Sequence, residues 1–135
     1  MIVVDTNLVA YAVLPGERTA DALRVADRDS NWVAPAVWRR ELRNILATMM
    51  RVRHLSLGRA LLAFEAAEEL VTDATVEPSI EECLRLAARG QVSAGDAEFV
   101  FVAEALGLPL VTADKRLARA FPGLVVPLED LVAGL

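Results

Sequence analysis

The sequence predicts an α/β domain with a central, mainly parallel sheet of four to five strands. Three observations carry this expectation. Short apolar runs rich in β-branched residues, such as Ile2-Val3-Val4, Trp32-Val33-Ala34 and Leu110-Val111-Thr112, suit strands buried on both faces. Stretches of helical periodicity separate these runs, and strands alternating with helices imply a parallel sheet covered by helices on both faces. The 135 residues contain no internal repeat, low-complexity tract or linker, so residues 1–135 read as a single domain.

Taken in order, the first strand ends abruptly at Asp5, and helical periodicity starts at once with Leu8, Val9 and Tyr11. Thr6 or Asn7 is the expected cap of that helix. Leu14-Pro15-Gly16 breaks the chain, and a second helix is expected over Glu17–Asp27. A strand at Trp32–Ala34 follows. Pro35 stands where a helix can begin without losing a needed N–H, so a long helix is expected from Ala36 to about Arg53. At about 100° per residue, Glu41 falls inside that helix's apolar stripe, between Val37 and Ile45. A carboxylate facing a core is costly unless it is paired or bound to a metal. Ser56 caps a further helix to about Glu69, and a short strand is expected around Ala74–Val76.

Ser79-Ile80-Glu81-Glu82 matches a capping box for a helix ending at Gly90. The next helix is expected from Asp96 to Leu106, stopped by Gly107, with Asp96 on its inward side and Glu98 on its solvated side. A strand over Leu108–Thr112 leads to Asp114, then come a helix over Lys115–Ala120, a strand at Leu124–Val126 and a closing helix over Glu129–Ala133.

Composition narrows the class. Hydrophobic residues make up 55% of the chain and mean hydropathy is +0.39. No apolar run nears the ~18 residues of a membrane span, so no membrane partner is expected. The apolar surplus points to an oligomer or to a bound partner. The start of the chain lacks the pattern of a secretory signal, and the lone Cys83 fits a reducing cytoplasm as a packed thiol. The formal net charge is −5. A broad basic face for nucleic acid is therefore not expected, unless the acids gather where cations neutralise them.

Such a gathering is what the pattern suggests. Asp5 and Asp114 follow predicted core strands, while Glu41 and Asp96 lie on inward helix faces. Asp5 read alone is a turn or cap residue, and Asp96 read alone is a favourable charge at a helix start. Four like charges in one place need a cation. Oxygen ligands with no histidine or cysteine favour Mg²⁺ or Mn²⁺ over zinc; the single His54 reads as a surface or helix-end residue. Carboxylate-held hard cations commonly serve phosphoryl chemistry, in which no protein nucleophile is needed. Thr6 and Thr112 are candidate supporting hydroxyls.

The segments Ile2-Val3-Val4-Asp5-Thr6-Asn7, the inward Glu41, Ser93-Ala94-Gly95-Asp96-Ala97 and Val111-Thr112-Ala113-Asp114 together resemble a PIN domain, and are most similar to the VapC-type toxins of prokaryotic toxin–antitoxin pairs. The resemblance spans nearly the whole chain. It implies a three-layer α/β/α sandwich, metal-dependent endoribonuclease activity, dimerisation and inhibition by a cognate antitoxin. It assigns Asp5, Glu41, Asp96 and Asp114 to the catalytic metal site, with Thr112 as a supporting hydroxyl. Many relatives carry an aromatic residue before the third acid; this chain has Gly95. Arg40 and Lys115, each beside a site acid, are the expected RNA-phosphate contacts. Rival readings are a receiver-type signalling domain, which shares the parallel sheet, early aspartate and late lysine, and a PIN-like binding module without catalysis. A haloacid-type phosphatase lacks its second aspartate two residues after Asp5.

Overall fold

The computed structural model describes residues 1–135 and contains five parallel strands in the order β3-β2-β1-β4-β5. The strands are β1 (Ile2–Val4), β2 (Trp32–Ala34), β3 (Val71–Asp73), β4 (Leu110–Thr112) and β5 (Val125–Pro127). The helices are α1 (Thr6–Val13), α2 (Thr19–Arg28), α3 (Trp38–Arg53), α4 (Leu57–Leu70), α5 (Ile80–Gly90), α6 (Ala94–Leu106), α7 (Lys115–Ala120) and α8 (Leu128–Ala133).

The chain winds outward from β1 through β2 to β3, then crosses back to β4 and β5 on the other side. Right-handed crossovers therefore set α1–α4 against one face and α5–α7 against the other; α8 returns to pack on α2. This is the three-layer α/β/α sandwich. The strand order reverses between β1 and β4, the position where open α/β sheets form a crevice at the carboxyl ends of their strands. β1 is fully buried, as are Leu8 and Val9 one turn into α1 and Val100 and Val102 on α6.

Local differences from the sequence-based expectation have identifiable causes. Asp5, rather than Thr6 or Asn7, caps α1: its carboxylate accepts from the backbone N–H groups of Asn7 and Leu8. The strand expected at Ala74–Val76 lies at Val71–Asp73 instead, where Val71 pairs with Trp32 and Asp73 with Ala34. α4 runs straight into that strand, and Asp73 is held there by Trp38 Nε1 (2.9 Å) and a two-pronged Arg39 contact (2.7 and 2.6 Å). A strand-poor residue type is thus fixed by partners remote in sequence. α3 begins at Trp38, two residues later than expected, α6 begins at Ala94, two residues earlier, and Ser93 caps α6 by accepting from the Asp96 N–H. α5 ends with Gln91, not a glycine, in the left-handed conformation. Gly90 is needed for a different reason: a Cβ there would stand 2.5 Å from the Phe121 ring.

The two tryptophans give a stability test. Both are fully buried, but the Trp38 N–H has a partner in Asp73 whereas the Trp32 N–H has none. An orphaned buried donor contributes nothing and costs its desolvation. Replacement by phenylalanine is expected to cost about 1 kcal/mol more at Trp38 than at Trp32, measured as the difference in urea unfolding free energy; an equal or reversed cost would refute the assignment.

Candidate active site

The buried polar side chains are Asp5, Thr6 and Thr112, and all three sit at the carboxyl ends of β1 and β4. Asp5 is only 9% exposed, so its charge must be met by hydrogen bonds. Besides the two N–H groups of α1, the Thr112 hydroxyl donates to its Oδ2. That same hydroxyl accepts from the Asp114 backbone N–H at 3.0 Å, linking the ends of β1 and β4. The Thr6 hydroxyl donates to Glu41 Oε1 at 2.7 Å, tying the start of α1 to the first turns of α3.

Asp5, Thr6, Glu41 and Asp96 line one hollow of about 320 Å³, together with Asn7, Asn44, Ile45 and Phe99. Asp96 also lines a second, larger hollow together with Asp114. Three of the acids thus share one hollow, and Asp96 stands between it and the hollow that Asp114 lines. Asp114 is exposed, and its Oδ1 accepts from the Arg116 and Leu117 N–H groups to cap α7. As the side chains stand, no three histidine, cysteine, aspartate or glutamate groups are drawn together to hold one ion. Both Asp5 oxygens, Glu41 Oε1 and Asp114 Oδ1 accept from neighbouring donors.

Electrostatics mark these acids out. Burial pushes the carboxyl pKa values of Asp5, Glu41 and Asp96 above the ordinary carboxylate range. Repulsion adds to each shift, from Asp96 on Asp5, from Asp5, Asp96 and Glu98 on Glu41, and from Asp114 on Asp96. Hydrogen bonds from Thr112 and Thr6 oppose the shifts on Asp5 and Glu41. All-oxygen donors whose ionised forms are mutually repulsive are suited to a hard divalent cation.

The positive candidates fare differently. Lys115 pairs with Glu129 at 3.1 Å. Arg40 is exposed and lines a third hollow of about 520 Å³, shared with Glu41, Gly95 and Ile80. Gly95 leaves that side open; a Cβ there would meet Glu41 Oε2 only at 3.7 Å. Glu98, expected on a solvated face, is half-buried in the same hollow. Because α5 packs along α6, the face assigned to solvent by periodicity is covered. Arg116 lines the hollow that holds Asp96 and Asp114. Its position two residues after Asp114 was the available signal, but proximity in sequence favoured Lys115, the immediate neighbour. His54 is the exposed left-handed C-cap of α3, and Cys83 is buried.

The PIN domain family model matches residues 2–121. Ribonuclease VapC3 of Pyrobaculum aerophilum is 30% identical over 139 residues, covering 93% of this chain and 98% of that protein. A crystal structure of a protein from Pyrobaculum aerophilum superposes with a TM-score of 0.77 at 20% identity, covering 98% of this chain and 94% of that one. That likeness speaks to the fold. No helix of the structure is long and apolar enough to cross a membrane.

The raised Glu41 pKa has a sign that can be measured. Its folded-state value lies above the unfolded one, so Glu41 favours folding most when protonated, and that contribution is lost as pH rises through the folded pKa. Glu41→Gln keeps an acceptor for Thr6 and removes the charge. In chelator-treated protein the variant is expected to melt a few degrees above wild type at pH 8, with the gap closing as pH falls through the carboxylate range. A gap that widens in acid would contradict the charge-burial account.

Proposed function

The chain belongs to the PIN-domain family, and on that premise we propose that it is a VapC-type, metal-dependent endoribonuclease that hydrolyses RNA phosphodiester bonds. The observation that carries the reading is the hollow at the strand-order reversal, lined by Asp5, Glu41 and Asp96 from one strand end and two helices. The matching relative is named a ribonuclease, which agrees with this chemistry.

Asp5, Glu41, Asp96 and Asp114 would hold Mg²⁺ or Mn²⁺, which when bound supplies an activated water and neutralises charge at the phosphate. The chain's own residues prepare that site. Asp5 is oriented by the α1 amides and by Thr112; Glu41 is oriented by Thr6. Burial raises the energy of the uncompensated carboxylates, so cation binding relieves a penalty built into the fold. No side chain need form a covalent intermediate, because water is the nucleophile.

RNA is the proposed substrate and a small antitoxin protein the proposed inhibitor, giving the chain a toxin role in the cytoplasm. A homodimer or higher oligomer would cover the exposed apolar side chains of α4, Leu57, Leu61 and Leu62. A receiver-type reading draws no support from Lys115, which pairs with Glu129.

Cleavage of a single-stranded RNA oligonucleotide with Mn²⁺ tests the function. Asp96→Asn is expected to lower kcat by ~10³-fold, the equivalent of several kcal/mol of lost charge stabilisation. Cleavage that survives chelator and persists undiminished in Asp96→Asn would refute the reading. Thr112→Val is expected to weaken Mn²⁺ binding by roughly 10–100-fold, and Thr112→Ser to restore it. Both are read from metal-dependent thermal stabilisation; equal stabilisation of all three proteins would remove Thr112 from the site.

A further inference from the structure

We propose that Arg116 and Arg119 form a phosphate-binding subsite, which grips the RNA strand next to the bond being cut. The inference rests on the ribonuclease reading above and adds the residues that hold the polyanion. Both arginines line the hollow of about 530 Å³ that also contains Asp96 and Asp114. Their spacing of three residues sets them on one face of α7, and both side chains are exposed.

What sets them apart is that they are unpaired and line a hollow that holds two of the site acids. Arg18, Arg39, Arg85, Arg89 and Lys115 are all paired with carboxylates. Arg116 and Arg119 are in no ion pair, although two carboxylates line the same hollow. The hollow of Asp5 and Glu41 has no cation in its wall. A phosphate chain entering this acidic region therefore needs positive charge supplied from next door, and Asp96 is the wall that the two hollows share. Arg116 is near enough to act electrostatically on Asp96.

The support beneath the pair is rigid. Asp114 caps α7 at its start. At its end, buried Phe121 lies against Gly90 so closely that no side chain fits between them, and Arg89 covers the ring at 5.4 Å. α7 is thereby pinned at both termini, and its arginines are held toward the hollow. Guanidinium groups suit phosphate oxygens because their planar fork donates two bonds at once.

The test is steady-state cleavage of single-stranded RNA with Mn²⁺ across a range of KCl, using wild type, the double variant Arg116→Gln with Arg119→Gln, and Lys115→Gln as comparator. The double variant is expected to raise KM on the order of tenfold, the scale of charge-assisted contacts, while kcat stays within about twofold. The slope of log KM against log salt is expected to fall by about 1.4, from about 0.7 for each lost phosphate contact on a single strand. Lys115→Gln is expected to match wild type. An unchanged KM and slope in the double variant, with wild type active, would overturn the subsite alone, as would an equal effect from Lys115→Gln. A wild-type protein that cuts no RNA would overturn the ribonuclease reading and the subsite with it.

Discussion

A buried carboxylate at the end of the first strand is the constraint around which this domain is arranged. Asp5 is tolerable in its apolar setting because three donors converge on it: two amides of α1 and the hydroxyl of Thr112. Those donors belong to a helix on one face of the sheet and to the neighbouring strand. The bonds that satisfy one charge therefore also fix where α1 leaves β1 and how β4 ends. Glu41 repeats the device through Thr6, extending the network to α3. The polar core is small, but it determines the relative placement of the elements that carry the acids.

Much of this was legible in the sequence. The strands β1 and β2 and the starts of α4 and α5 follow from β-branched runs, Ser56 and Ser79. The inward position of Glu41 followed from counting 100° per residue along α3. What the sequence hid depends on distant partners. β3 is specified by pairing with β2 and by the contacts of Asp73 with Trp38 and Arg39, none of which leaves a local signature. Glu98 lies under α5, so periodicity within α6 assigned it to solvent. What separates Lys115 from Arg116 is an ion pair with Glu129, fourteen residues beyond Lys115 on the closing helix.

Charge placement also reconciles an acidic protein with a polyanionic substrate. The net charge of −5 is an average over the surface, whereas association responds to the local field. Several acids on this chain are neutralised by internal partners, as Asp73 and Glu68 are by Arg39 and Glu129 is by Lys115. The acids whose pKa burial raises, Asp5, Glu41 and Asp96, gather at the strand-order reversal, where a divalent cation would invert the sign of the field. Free guanidinium groups stand beside that region rather than within it.

The outermost strands impose a limit on assembly. β3 and β5 have three residues each; one finishes in Asp73, clamped by Arg39, and the other in Pro127, which has no N–H to offer. Such flanks make poor templates for lateral growth. Two copies of the chain cannot readily merge their sheets into one continuous ribbon, which leaves the helical layers as the surfaces that can pack without unzipping the fold.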